Sequence, residues 1–207
     1  MARKTGSSGE KTAADLRAAA TQLFARHGYA AVSMRQIAAV VGVQAGALYL
    51  YIADKQALLF DLLDAHMTSL AAAWAAESAA AAPDPAAQLE QFVRFHLHWH
   101  LARADAVFIS YMELRNLTPE NFAKIEARRR DYEDVLDGIL RAGVATGVFS
   151  LPETRLGVFG IIALLNGVNT WFRAGGRLSL DEVSAVYLEM VRAAVGQSPA
   201  AQALPDL

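Results

Sequence analysis

The segment from Ser33 to Leu59 constrains the fold of this 207-residue chain more than any other. Ser33 followed by Gln36 is the pattern of a capping box, in which two side chains satisfy free backbone N–H groups of a first helical turn. The apolar residues that follow recur at helical spacing, and Gly42 permits a backbone turn with positive φ. The segment therefore predicts two short helices joined by a tight turn.

The second of these helices is predicted from Gln44 to Tyr51, and eight residues are too few for a helix to be stable alone. Ala47 and Leu48 give it an apolar side that packs on the first helix. Its other side offers small, polar and aromatic groups. This arrangement is typical of a helix-turn-helix, whose second helix is shaped to lie in the major groove of DNA.

The chain from about Lys11 to Leu63 closely resembles the DNA-binding domain of TetR-type transcriptional regulators. The resemblance rests on residues at matching spacing: Leu16, Leu23, Phe24, Gly28, Tyr29, Ile37, Ala38, Gly42, Val43, Gly46, Leu48, Tyr49, Tyr51, Lys55, Leu58 and Leu59. Four positions depart from the common pattern, namely Gln44, Ala45, Ala47 and Ile52. We expect these departures to leave the fold intact and to alter base preference and the number of phosphate contacts.

The resemblance implies that eight residues face DNA: Ser33, Arg35, Gln44, Ala45, Gly46, Tyr49, Tyr51 and Lys55. Among these, Arg35 suits guanine and Gln44 suits adenine, because each can form two hydrogen bonds to the base edge. The tyrosine hydroxyls and the Lys55 ammonium suit phosphates, which set register but not sequence. The alternative is structural: either tyrosine could pack on the core, Arg35 could pair with an acid, and Lys55 could be a solvated charge.

The remaining sequence predicts an all-α fold of about nine helices without strands. Helix starts are marked by Asp54, by Asp84 with Pro85, by Thr118 with Pro119, and by Ser179 with Glu182. The predicted organisation has four parts: a flexible basic arm (1–10), a helix-turn-helix DNA-binding domain (11–56), a ligand-sensing and dimerisation domain (57–196), and a frayed tail (197–207).

Charge and composition exclude several classes of protein. Residues 1–60 hold seven Lys/Arg and three acids, whereas the remainder holds 12 Lys/Arg and 18 acids. A basic head on an acidic body suits DNA binding, although chance scatter explains so small an excess as well. The chain has no cysteine, which excludes disulfides and thiol chemistry. The N-terminus lacks an apolar core and no apolar run reaches membrane-spanning length, so we expect a cytoplasmic protein without a membrane partner.

Two C-terminal segments predict self-association. The eighth helix carries small residues on one stripe, and the ninth has an apolar face. In the resembled family the last two helices pair with their copies, which implies a homodimer on a palindromic operator in double-stranded DNA. The alternative is that the stripe packs within one subunit. The predicted interface comprises Gly160, Ala163, Gly167, Thr170, Val183, Tyr187 and Met190.

Residues 86–175 are apolar with sparse polar groups, as ligand pockets and helical cores both are. A looser resemblance to family members that answer to acyl-CoA thioesters implies a small hydrophobic effector of that class. Regulators of efflux or drug resistance, which answer to lipophilic compounds, are the alternative. The run Arg128–Arg130 could bind CoA phosphates, or it could be a solvated face paired with Asp131, Glu133 and Asp134. The predicted effector contacts are Phe95, Trp99, Phe108, Tyr111, Met112, Arg115, Phe122, Arg129, Asn166 and Trp171.

No catalytic, metal or cofactor site is predicted. His96 and His100 share a helix face, but no third ligand stands at a defined spacing. Phosphate-binding loops, nucleophile elbows and metalloprotease motifs are missing from the sequence. An enzyme on an all-helical scaffold and an architectural DNA-binding protein without a pocket are the less favoured alternatives.

Overall fold

The computed structural model describes residues 5–79 and 84–197. Within these ranges the chain forms nine α-helices and one 3-10 turn, with no strand, which confirms the predicted all-α class. The helices are α1 (Thr5–His27), α2 (Met34–Val41), α3 (Ala45–Leu48), α4 (Lys55–Ser78), α5 (Pro85–Leu101), α6 (Ala104–Met112), α7 (Pro119–Ala145), α8 (Thr154–Trp171) and α9 (Leu180–Ala194), and the 3-10 turn is Leu114–Asn116.

Side-chain caps begin five of these helices at the predicted positions. In front of α4 the Asp54 carboxylate accepts from the Ala57 N–H, and in front of α7 the Thr118 hydroxyl accepts from the Asn121 N–H. Ser33 and Gln36 form a reciprocal capping box in front of α2, and Ser179 with Glu182 does the same in front of α9. The Asp84 carboxylate accepts a hydrogen bond from a first-turn N–H of α5. Because each cap satisfies otherwise unpaired N–H groups, these helix starts follow from local sequence.

Near the two chain ends, the structure either differs from the prediction or does not describe the predicted segment. Residues 5–10, predicted to belong to a flexible arm, are helical and extend α1 toward the N-terminus. Adding residues to an existing helix costs less free energy than starting a new one. Residues 1–4 of the predicted arm and residues 198–207 of the predicted tail lie outside the described residues.

The second helix of the helix-turn-helix is shorter than predicted. It spans only Ala45–Leu48, and Gln44 at its N-cap makes no side-chain capping hydrogen bond. The chain then continues as a turn in which the Tyr51 N–H donates to the Leu48 carbonyl at 2.9 Å. A helix with no cap and with Gly46 in its interior has little intrinsic stability, so its second half tightens into i to i+3 hydrogen bonds.

The first compact unit comprises Met1–Ser69 and Arg103–Arg128. It holds α1 to α3, the first part of α4, α6, the 3-10 turn and the start of α7. Its core joins helix-turn-helix residues such as Ile37 to Ile109 of α6 and Ile125 of α7. The segment 103–128 therefore completes the hydrophobic core beneath the helix-turn-helix.

The second compact unit comprises Leu70–Ala102 and Arg129–Leu207. In it α5 packs against both α8 and α9, and Phe92, Leu165 and Leu188 are among its buried residues. The two units thus divide the chain differently from the predicted domains. That DNA contacts lie within residues 11–56 stays a prediction. None of the helices in the described ranges has the length and hydrophobicity that crossing a membrane requires.

Candidate DNA-binding and effector sites

The predicted DNA contacts surround α2 and α3 in the first unit. Six of the eight side chains or backbones are exposed: Ser33, Arg35, Gln44, Gly46, Tyr49 and Tyr51. The other two are half-buried. Ala45 packs against the hydrophobic core, because it starts the short helix that Leu48 anchors.

The polar members of this surface differ in whether other groups of the protein engage them. Arg35 lies in the first turn of α2, and no ion pair joins it to another described residue. The Gln44 amide is exposed and caps nothing, so its donor and acceptor are both available to a base edge. The Ser33 hydroxyl, by contrast, is engaged with the Gln36 side chain at 2.8 Å, so its first role is to begin α2.

The turn after α3 presents a row of apolar and aromatic side chains. Tyr49 and Tyr51 are both exposed, so neither is the core packing residue that the structural alternative describes. Leu50, between them, is 83 % exposed, the largest value among the exposed large hydrophobic residues described. Sequence reasoning missed Leu50, although its offset of two residues from buried Leu48 indicates that it points away from the core.

Lys55 is partly exposed and also contacts its own unit. Its Nζ atom lies over the Tyr29 ring, 4.2 Å from the ring centroid, which is the geometry of a cation–π contact. Burial lowers the pKa of Lys55, and the nearby Glu113 carboxylate opposes that shift. The ammonium therefore has a fixed place at the start of α4.

Five predicted effector contacts belong to the first unit. They lie on α6, on the 3-10 turn and at the start of α7, and all five are exposed: Phe108, Tyr111, Met112, Arg115 and Phe122. Exposed aromatic residues on one short segment favour a binding surface over a core.

The other five predicted contacts belong to the second unit: Phe95, Trp99, Arg129, Asn166 and Trp171. Phe95 and Trp99 line an open cleft of about 560 Å³, whose remaining lining residues are Glu77, Arg94, His98 and Asp181. Trp171 lies at a smaller cleft of about 290 Å³ beside Arg173 and Arg177.

Asn166 takes part in a buried hydrogen-bond chain. The ring nitrogens of His96 lie 3.1 Å from the Tyr132 hydroxyl and 3.1 Å from the Asn166 amide oxygen. Burial lowers the pKa of His96 to about 4, so the ring is neutral at pH 7. Because an amide oxygen only accepts, Nε2 of His96 carries the proton and Nδ1 accepts from Tyr132.

His100 stacks on His96, with ring centroids 3.8 Å apart, and its Nδ1 lies 2.8 Å from the His96 carbonyl oxygen. Hydrogen bonds therefore occupy both nitrogens of His96 and one of His100. Within the described ranges no three His, Cys, Asp or Glu residues are grouped as metal ligands.

Arg128 of the arginine run in α7 and two of the acids assigned to that run pair with other residues. Arg128 forms an ion pair with Asp64 of α4. Glu133 and Asp134, which the structural alternative assigned to the arginine run, both pair with Arg155 of α8 at 2.7 and 2.6 Å. The sequence spacing alone gave no sign of Arg155, because it lies on another helix.

The predicted dimer residues divide into three groups by exposure. Gly160, Ala163, Thr170 and Met190 are exposed, and Gly167 and Tyr187 are half-buried. Val183 is only 2 % exposed and belongs to the core of its own unit, so it is not part of the exposed face. Leu156 and Phe159, which were missed, are large exposed hydrophobic residues on α8, and Val186 is another on α9.

The described residues are all-α and contain a capped helix-turn-helix with an exposed polar and aromatic face, which defines a DNA-binding regulator of the helix-turn-helix class. The family model of bacterial regulatory proteins of the tetR family matches residues 16–62. A second family model, the tetracyclin repressor-like C-terminal domain, matches residues 82–195. The chain belongs to the TetR family of transcriptional regulators.

Known proteins similar to this chain agree with that assignment. The HTH-type transcriptional repressor KstR2 of Rhodococcus jostii (strain RHA1) is 29% identical over 189 residues, which are 90% of this chain and 91% of the relative. The crystal structure of a tetR-family regulatory protein from Rhodococcus RHA1 matches with a TM-score of 0.84 and 31% identity, covering 91% of this chain and 99% of the other. AibR in complex with isovaleryl coenzyme A and operator DNA shares the fold, with a TM-score of 0.79, 24% identity and coverage of 86% and 97%.

Proposed function

We propose that this regulator is a homodimeric repressor that binds a palindromic operator and is released by a small hydrophobic effector, with acyl-CoA thioesters as the favoured class. The observation that carries the proposal is the exposed surface of α2, α3 and the following turn, where Arg35, Gln44 and Tyr49 stand beside a buried core. The name of KstR2 as a transcriptional repressor supports the direction of regulation.

Within this surface, Gln44 and Arg35 read bases, and Tyr49, Tyr51 and Lys55 hold phosphates. Gln44 is exposed at the N-terminus of α3, the end of a recognition helix that approaches bases. Gly46 leaves room for the DNA backbone, since a Cβ built there meets no atom within 4 Å. Ser33 supports the surface by capping α2, and half-buried Ala45 offers its methyl group to a thymine.

The proposed dimer uses the exposed faces of α8 and α9. Small residues on α8 let a second helix approach closely, and exposed Leu156, Phe159, Val186 and Met190 supply apolar area that one subunit leaves in water. Two-fold symmetry then places two recognition helices about one DNA turn apart, which requires a palindromic site.

Each unit holds its own set of the predicted effector contacts. Phe108, Tyr111 and Met112 offer apolar surface for an acyl chain, and Arg115 offers a charge for a phosphate. The solved complex of AibR with isovaleryl coenzyme A illustrates that this fold accommodates such a ligand. An effector relieves repression only to the extent that it binds the DNA-free state more tightly than the DNA-bound state.

We propose that this regulator is cytoplasmic, because the operator DNA that it binds is in the cytoplasm. We propose no catalytic step, since regulation requires binding alone. Incubation with an acyl-CoA should leave the thioester unchanged, and hydrolysis in the presence of the protein but not in buffer alone would contradict this part of the proposal.

A gel mobility-shift experiment tests the DNA-binding function. The probe is DNA upstream of the chain's own gene, and a scrambled fragment of equal length and composition is the control. We expect a shift of the upstream probe at protein concentrations that leave the scrambled fragment free. Equal binding to both fragments would favour an architectural DNA-binding protein.

A thermal-shift screen tests the effector class, with CoA thioesters compared against their free acids, free CoA and lipophilic drugs. A ligand present at 100 times its Kd stabilises the folded state by roughly 2.7 kcal/mol, which a melting curve detects readily. We expect thioesters to raise the melting temperature and to release the operator. A response to lipophilic drugs alone would favour a regulator of efflux or drug resistance.

A further inference from the structure

Glu113 is a buried carboxylate that the DNA-binding surface does not use. It follows the last residue of α6 and is 6 % exposed, in the same compact unit as the helix-turn-helix. Removing a carboxylate from water is costly unless hydrogen bonds and nearby positive charge compensate it. The partners of Glu113 therefore indicate what its burial achieves.

Those partners lie at the turn between α1 and α2 and in the 3-10 turn that follows α6. Oε1 of Glu113 accepts a hydrogen bond from the Tyr29 backbone N–H at 3.1 Å. Its other oxygen accepts from the Asn116 side-chain amide. Gly28, which follows the last residue of α1 with φ of 81°, lies beside the carboxylate, since a Cβ built there would be in ordinary contact with Oε1 at 3.6 Å. The carboxylate thus fixes the backbone that leads into the helix-turn-helix.

Tyr29 extends this contact to the start of α4. The Lys55 ammonium lies over its ring, 4.2 Å from the ring centroid, and its hydroxyl accepts a hydrogen bond from the Gln56 side chain at 3.4 Å. The same Gln56 amide donates to the Asn116 carbonyl. Tyr29 is therefore held at its backbone by Glu113 and at its ring by α4.

We propose that Glu113 is a positioning residue for DNA binding, which acts through Tyr29 to hold Lys55 in the place from which it meets a DNA phosphate. The inference rests on the proposed operator binding and on the role of Lys55 within it. Glu113 itself is buried and touches no DNA.

When Glu113 loses its charge, a purely electrostatic role and a positioning role predict opposite changes in the affinity for DNA. A negative charge near a DNA-binding surface repels phosphates, so charge removal alone strengthens binding. Loss of the Tyr29 and Lys55 positions weakens binding instead. The sign of the change in affinity therefore separates the two explanations.

The test compares Glu113→Gln with Glu126→Gln, an equal charge change at an exposed position on α7 in the same unit. Operator affinity is measured by fluorescence anisotropy, with thermal unfolding to establish that each variant is folded. We expect Glu113→Gln to bind the operator about tenfold more weakly, because the glutamine amide offers one acceptor oxygen where the Tyr29 N–H and the Asn116 amide need two, and a hydrogen bond to a charged group is lost. We expect Glu126→Gln to bind as wild type or slightly more tightly.

A double-mutant cycle with Lys55→Gln asks whether Glu113 acts through Lys55. We expect Glu113→Gln to have little further effect on operator affinity once Lys55 is replaced. Equal losses with and without Lys55 overturn the proposed route. Glu113→Asp keeps the charge but shortens its reach toward Tyr29, so we expect a loss of about threefold, smaller than that of Glu113→Gln.

Two further outcomes overturn the inference alone. The first is operator affinity for Glu113→Gln that equals or exceeds that of the wild type. The second is wild-type affinity for Glu113→Asp, which excludes the positioning role even where Glu113→Gln fails to fold. Wild-type protein that binds no upstream DNA overturns the proposed function and this inference together.

Discussion

Gln44 and Lys55 illustrate how two residues of one surface contribute differently to DNA binding. We expect Gln44→Ala to weaken operator binding by about 1–3 kcal/mol while leaving random DNA unaffected, because a base contact is lost. We expect Lys55→Ala to weaken binding to all sequences and to lower the salt slope by about 1, because a phosphate contact is lost. Competition binding at several salt concentrations measures both effects, and equal losses on operator and random DNA for both variants would contradict the assignment.

His96 and His66 make the stability of the fold depend on pH. Burial lowers the pKa of each ring from 6.5 to about 4. Between these values the unfolded chain binds more protons than the folded chain, so the free energy of unfolding falls as pH drops from 6.5 toward 4. Above pH 6.5 both states are neutral at these rings and the dependence vanishes. Each histidine contributes a loss on the order of 3 kcal/mol across the window.

The substitution His96→Gln tests this dependence. The variant loses hydrogen bonds and should be less stable at pH 7.5, but about half of the histidine-dependent decline between pH 6.5 and 4 should disappear, since His66 still titrates. Urea unfolding at a series of pH values measures the decline. His27→Gln, at an exposed position on α1, is the control and should retain the wild-type profile. An unchanged profile in His96→Gln would show that the ring is not buried neutral.

At the scale of the helix, α7 contains two glycines in contrasting surroundings. A Cβ built on Gly143 would lie 1.9 Å from Phe149 Cδ2, whereas one built on Gly138 meets nothing within 4 Å. We expect Gly143→Ala to destabilise the fold by about 1–3 kcal/mol through overpacking. Gly138→Ala should stabilise it by about 0.5–1 kcal/mol through helix propensity. Chemical unfolding of both variants measures the contrast, and changes of the same sign would contradict the packing at Phe149.

Helix starts were predictable from sequence because a cap is a local interaction. Ser33 and Ser179 reach groups three residues away, and their capping boxes form as the sequence pattern indicates. The end of α3 was not predictable in the same way. Its length depends on how Leu48 anchors it to other helices, and no local signal marks its last residue.

Non-local packing explains the remaining differences within the candidate sites. Ile109 and Ile125 complete the core beneath the helix-turn-helix from more than fifty residues away in sequence, so the compact unit extends beyond residue 56. Val183 and Met190 share the apolar face predicted for α9, yet Val183 is buried and Met190 exposed. A helical repeat predicts that residues share a face, but the neighbouring helices decide how much of that face remains in water.

At the scale of the whole molecule, the proposed dimer depends on apolar area that a single chain leaves exposed. Val186 on α9 is 49 % exposed and lies near Met190, which is 48 % exposed. Replacing Val186 with Glu places a charge in the proposed interface, and two-fold symmetry places it there twice. Glutamate has a higher helix propensity than valine, so the change should not weaken α9 itself.

We therefore expect Val186→Glu to fold with near wild-type stability but to dimerise about a hundredfold more weakly, because an unpaired charge would be removed from water on association. Sedimentation equilibrium measures the dimer, and the mobility shift should disappear at concentrations where the variant is monomeric. Ala142→Glu, which adds a charge at an exposed position on α7, is the matched control and should dimerise as wild type. A Val186→Glu variant that remains dimeric and binds the operator would place the interface elsewhere on the molecule.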